Sequence, residues 1–318
     1  SNEILNNLSG SITFIAVPAE EYVEIEWRSS QRDQGKFEFL GGKQEFVKLG
    51  AFDDIDISMM THARGNFEGF GYGGTGNGLI AKFIEFHGKS SHAGGDPHLG
   101  INALNAANLA LMGIHANRET FIDDDHIRVH PIITKGGFVV NQVPEIVTME
   151  TFVRGASIEA IQKSNLKVDN ALRAGAMAVG AEVKITTLPG YFPLFHDKNL
   201  TDLYVNNLNN SNHKNEEIPH GGGSTDMGDL AHIMPVIHPY VGGATEASAH
   251  TAGFLVKDYE LSVIEAGKMM AHTVIDLLID DAKEAKKITN EHKPIYSIEE
   301  YLKQMRSFSN LEVSNYNI

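Results

Sequence analysis

The sequence predicts an α/β protein in which a small ferredoxin-like unit interrupts a larger, partial α/β domain with a mixed sheet. Three observations carry that reading. Short β-branched and aromatic runs end at proline, glycine or histidine, as the buried strands of an open sheet do. Between residues 79 and 188 the patterns alternate in the order β-α-β-β-α-β, that of a ferredoxin-like sandwich. Periodic stretches, above all 261–278, supply amphipathic helices to cover the sheets.

In chain order, residues 3–8 read as the last turns of a helix, stopped by Ser9-Gly10. The apolar run 11–17 reads as a buried strand, ended by Pro18 and followed by Glu20-Glu21. A polar segment, 24–39, leads to Gly41-Gly42-Lys43, which opens a helix with Phe46 and Leu49 on its apolar side. Residues 53–62 give a turn, a short strand and His62 at its end. The unit 79–188 follows: strand 79–86, a glycine-rich loop holding His92, helix 99–117, strands 127–134 and 146–154, helix 158–179 and strand 182–188. Closely spaced termini make such a unit easy to insert, so the division expected is 1–76, 77–189 and 190–318. Beyond it come helix 200–209, an Asn-rich connection, the turn at Gly223-Ser224-Thr225-Asp226, strand 235–240, Ala249-His250-Thr251 and helix 261–278. The tail from Lys283 is polar, with a short helix at 298–305.

A chain of 318 residues has room for two domains, and 42% hydrophobic with 21% charged residues is ordinary globular composition. Net charge of -15 argues against a nucleic-acid or anionic-membrane surface. No apolar run has transmembrane length and the start lacks a signal pattern, so a cytoplasmic location is expected. Cysteine is absent, which leaves His, Asp and Glu as metal-ligating side chains.

Glu20, Glu21, His62 and His250 each fall at an expected strand end or in the loop after one. Carboxylate and neutral imidazole together suit zinc, with manganese or cobalt as alternatives, and an adjacent glutamate can shuttle a proton. From the residues alone the ordinary reading of the Glu pair is a solvated acidic loop. A histidine at a strand end is more often simply hydrogen-bonded. Most other histidines read as structural or surface, with His130 and His238 the first to reconsider.

Val17-Pro18-Ala19-Glu20-Glu21, Gly88-Lys89-Ser90-Ser91-His92-Ala93 and Asn102-Ala103-Leu104 resemble the zinc-dependent aminoacylase and carboxypeptidase-G superfamily. Gly136-Gly137 with Asn141-Gln142-Val143-Pro144, Gly223-Ser224-Thr225-Asp226 and Ala249-His250-Thr251 continue the match in the family's order. The details point to the amidohydrolase branch, with aminobenzoyl-glutamate hydrolases, indole-acetyl-amino-acid hydrolases and the β-alanyl-lysine type of dipeptidase. The resemblance implies hydrolysis of an amide in an N-acyl amino acid, aminoacyl-glutamate or dipeptide. It implies Glu20 as general acid/base and Glu21, His62 and His250 as metal ligands. It makes the insert a dimerisation domain of a homodimer, from which His92 helps stabilise the oxyanion in the partner subunit. Asn141, Arg154, Gly223, Ser224 and Thr225 are the implied substrate contacts; from the residues alone they read as turn formers and a surface arginine. The branch draws its other metal ligands from a Cys-Gly-His-Asp segment before the Glu-Glu strand, and this sequence has none. The expectation is a catalytic domain lacking its N-terminal part, binding one zinc ion or none. A catalytically inactive member with a binding or dimerising role is the alternative.

Overall fold

The computed structural model describes residues 2–317. Its largest sheet has six strands, all antiparallel. Gly78–His87 lies at the centre between Ile146–Gly155 and Glu182–Pro189. Arg128–Val129 and Ile132–Lys135 both pair with Ile146–Gly155, and Asn310–Asn315 pairs with Glu182–Pro189. Leaving out Asn310–Asn315, this is the ferredoxin-like arrangement expected for the insert.

Helices Ala103–Ala116 and Ile158–Val179 pack on each other and on this sheet through Ala106, Ala107, Ala110, Ile114, Val168 and Leu172. Small residues let the two backbones approach closely. A Cβ on Gly175 would lie 2.5 Å from Ala106 O and 2.6 Å from Ala110 N. Asn102 caps the first helix, accepting from the Leu104 and Asn105 amides, and Ser157 caps the second. Gly180, at φ 71°, ends the second helix in the left-handed conformation that glycine adopts without a Cβ clash. Between sheet and helix lies one buried ion pair: Lys82 Nζ is 2.6 Å from Asp169 Oδ1 and donates to Thr187 Oγ1 at 2.7 Å.

The remaining strands are short. Ser58–Met59 runs parallel to Val236–Ile237. A four-stranded sheet has the order His62–Ala63, Tyr240–Val241, Phe70–Tyr72, Asn215–Glu217. Helix Lys198–Asn209, capped by Asp197, contributes Leu200, Tyr204 and Leu208 to a second core with Met269 and Leu277. No helix among the described residues is long and apolar enough to cross a membrane.

Several elements differ from expectation. Residues 11–17 form no strand; Ile12 is 51% and Phe14 94% exposed. Among the described residues no strand pairs with this stretch, so most of its apolar side chains face water. The polar segment holds helix Ile25–Asp33, whose buried side is Ile25, Arg28 and Ser29. Leu49 is exposed, and Val47 takes the core position in helix Gly42–Lys48. The Asn-rich connection contains strand Asn215–Glu217. The long helix starts as a π-turn, Glu260–Glu265, and continues as Ala266–Glu291, broken by left-handed backbone at Asp280, Asp281 and Ala282. In the tail, a Ser297–Glu300 capping box starts helix Ile298–Ser307, which buries Tyr301 and Met305. Arg306 grips Glu38 through two nitrogens at 2.6 and 3.0 Å, and Arg32 donates to Ser309 Oγ.

Candidate functional site

Pro18-Ala19-Glu20-Glu21 lies against the N-terminus of helix Gly42–Lys48. The Gly42 amide donates to Ala19 O at 3.2 Å, and a Cβ on Gly42 would sit 1.9 Å from Pro18 O. That contact explains the glycine. Ala19 takes a left-handed φ of 59° just before the pair, in which Glu20 is half-buried and Glu21 exposed. The Tyr191 hydroxyl donates to Glu20 O, and the buried Thr225 hydroxyl donates to Glu20 Oε1 at 3.2 Å. Ser224 Oγ accepts from Arg154 at 2.9 Å, and the Arg154 guanidinium lies 5.0 Å from the Phe152 ring centre. Burial holds the Arg154 pKa below its ordinary value, opposed by Tyr191 and then Glu21.

Glu21 Oε1 is 3.7 Å from His250 Nδ1, both side chains largely exposed, and His250 has a left-handed φ of 64°. His62 is delivered by a strand parallel to Tyr240–Val241. Its Nδ1 lies 2.7 Å from Ala63 O. A carbonyl only accepts, so Nδ1 carries a proton, which leaves Nε2 as the nitrogen available to ligate. The donor types thus fit a zinc-like ion. Among the described residues, however, no three His, Asp or Glu side chains are grouped to hold one.

His92 and Asn141 form a second group on the insert: the Ala93 amide donates to Asn141 O at 2.9 Å. The amides of Gly94 and Gly95 donate to His92 Nδ1 at 3.1 and 2.8 Å. That fixes the tautomer with hydrogen on Nε2, an exposed donor. Gly223 faces open space, and a Cβ there would meet nothing within 4 Å.

Beneath Glu20 lies a buried polar layer that sequence reasoning missed. Lys43 Nζ donates to Asp226 Oδ1 at 2.5 Å, with side-chain exposures of 6% and 0%. Asp229, also buried, accepts from Gln44, the Phe192 amide and the Tyr301 hydroxyl. Burial raises Asp226 to about 6 against the opposing pull of Lys43, and holds Asp229 well above its ordinary value. His238 is buried beside His62, its ring nitrogens unpartnered among the described residues, and burial first, then His62, push it down to about 3. The Gly-Gly-Lys helix start and the Asp of the Ser-Thr-Asp turn were visible signals; their pairing across the fold was not.

Residues 77–177 match the peptidase dimerisation domain, so the chain carries that domain. The chain is 29% identical over 251 residues to a Xaa-Arg dipeptidase of Mus musculus, covering 76% of this chain and 57% of the mouse protein. It is 31% identical over 140 residues to one of the subunits of the p-aminobenzoyl-glutamate hydrolase of Escherichia coli, covering 42% of this chain and 27% of that subunit. Among solved structures it resembles a dinuclear metal-binding peptidase of the M20 family from Bacillus subtilis. That match has a TM-score of 0.56 and 16% identity, covering 79% of this chain and 69% of the other. The chain therefore spans a little over half the length of the mouse relative.

Proposed function

We propose that this chain serves as a metal-dependent amidohydrolase or dipeptidase. Its substrate would be an N-acyl amino acid, an aminoacyl-glutamate or a dipeptide, cleaved at the amide bond. One observation carries the reading: the Thr225 hydroxyl orients Glu20, the adjacent Glu21 lies 3.7 Å from His250, and Ser224, next to Thr225, holds Arg154. The likeness to dipeptidase and hydrolase sequences supports it. In this reading Glu21, His62 and His250 would hold zinc, or manganese or cobalt in its place, and such an ion, when bound, would lower the pKa of water and polarise a carbonyl. Glu20 takes the proton of the attacking water and passes it to the leaving amine. Arg154 holds a substrate carboxylate, with Gly223 and Ser224 lining the approach. The insert, 77–189, pairs two copies of the chain, with 1–76 and 190–318 forming the catalytic part. His92 and Asn141 then act in the partner's site, the His92 Nε2–H donating to the developing oxyanion.

The test is metal analysis with an assay on N-acyl amino acids, aminobenzoyl-glutamate and dipeptides. Stoichiometric zinc is expected, with Glu20→Gln lowering kcat by about 10²–10⁴ at unchanged metal content. No turnover by zinc-supplemented wild type, or full turnover by Glu20→Gln, refutes the proposal. A catalytically inactive member with a dimerising or binding role is the second reading. It is favoured by the lack of a three-donor group among the described residues.

A further inference from the structure

We infer that Lys43 is a positioning residue for Glu20, acting through the Asp226–Thr225 turn; this rests on the reading of Glu20 as the acid/base. One residue grips both oxygens of a wholly buried carboxylate: Lys43 Nζ donates to Asp226 Oδ1 at 2.5 Å and its backbone amide to Oδ2 at 3.3 Å. The neighbouring Thr225 is thereby held in place. Its oxygen accepts from the Met227 amide at 3.4 Å, which leaves the hydroxyl proton to point at Glu20 Oε1, 3.2 Å away.

The same helix start touches the other segments that carry the site. Lys43 Nζ lies 3.5 Å from Met60 Sδ, two residues before His62, and the Gly42 amide holds Ala19 O beside Glu20. One residue further along, Gln44 donates to Asp229 Oδ2 at 3.0 Å. The first turn of this helix thus gathers three distant stretches around one buried cation. Stability alone does not call for such a pair, because apolar residues of similar volume serve a core at least as well. A charged pair with a single good geometry does define position, and the position defined here is that of the Thr225 hydroxyl under the Glu20 carboxylate.

The test is a double-mutant cycle on the full polypeptide, zinc-supplemented, with Glu20→Gln alongside. Lys43→Met and Thr225→Val are each expected to lower kcat about ten- to a hundredfold, as a small misplacement of a catalytic group does, with KM changed less than twofold. The double variant is expected to be no slower than the worse single one, because both changes break the same chain of contacts. A crystal structure of Lys43→Met reads the effect without turnover: Glu20 leaves hydrogen-bond reach of Thr225 while helix Gly42–Lys48 stays in place. If Lys43→Met does not fold, Lys43→Met with Asp226→Asn, which leaves no unpaired buried charge, replaces it under the same expectations. Losses that multiply in the double variant overturn the inference, as does wild-type kcat with Glu20 unmoved. If Glu20→Gln turns over like wild type, the acid/base assignment falls and this inference with it. If Glu20→Gln is inactive and Lys43→Met is not impaired, only this inference falls.

Discussion

Replacing Lys82 by methionine tests how the insert is held together. Lys82 has no solvent exposure and sits on the central strand, with its ammonium 2.6 Å from Asp169 Oδ1 and 2.7 Å from Thr187 Oγ1. The variant keeps the volume and removes the charge. Asp169, its side chain 10% exposed, is left with Asn165 Nδ2 at 3.0 Å among its described hydrogen-bond donors. Stranding a buried carboxylate in this way costs about 3–5 kcal/mol, a large part of the 5–15 kcal/mol that holds a typical protein folded. Burial lowers the Lys82 pKa despite the attraction of Asp169, so desolvation outweighs pairing. The pair as a whole is then dearer than an apolar one, and Lys82→Met with Asp169→Leu should match the wild type or exceed it by about 1–4 kcal/mol. The lowered pKa also sets a sign. Between the lowered folded-state pKa and 10.5 the folded state binds fewer protons than the unfolded, so this residue's contribution to stability rises with pH across that window. Urea unfolding, followed by circular dichroism and by hydrogen exchange in residues 78–87 and 158–179, measures all three proteins. A single variant within 1 kcal/mol of wild type, or a double variant no better than the single, would refute the reasoning.

Two further changes follow from local geometry. Gly175→Ala drives a Cβ to within 2.5 Å of backbone atoms of the facing helix and should cost about 1–3 kcal/mol in thermal melts. Gly267→Ala, whose Cβ meets nothing within 4 Å, should instead be neutral or stabilise by up to about 1 kcal/mol. Asp226, raised from 3.8 to about 6, binds its proton more tightly in the folded state; stability is therefore lost as pH rises through that window, by about 3 kcal/mol in all. Asp226→Asn should gain that much relative to wild type between pH 3.5 and 7 in urea titrations, and an unchanged difference would count against the assigned shift.

The insert was legible because its pattern is local. Helix Ile158–Val179 has the bounds expected of it, from a Ser cap to Gly180, and the strands of the insert form a core with helices from the same stretch. Elements whose partners lie far away were not legible. Residues 11–17 have strand composition, but composition does not supply a neighbour to pair with. Helix Ile25–Asp33 buries Arg28 and Ser29, which hydropathy assigns to solvent. In the site, motif resemblance singled out both Glu20 and Thr225, yet only the folded chain brings them together across 205 residues. The pairing of Lys43 was not legible for the same reason: a lysine reads as surface until an aspartate 183 residues away holds it.

Strand Asn310–Asn315 has a consequence for how the molecule is made. It seats on Glu182–Pro189, a strand emerging from the ribosome more than a hundred residues earlier. During that interval the insert can complete its own sandwich, but one border of its sheet stays an open ladder of amide and carbonyl groups. Synthesis therefore leaves a window in which the nascent protein can pair with a neighbouring chain or be held by a chaperone, and the window closes only when residues 310–315 arrive.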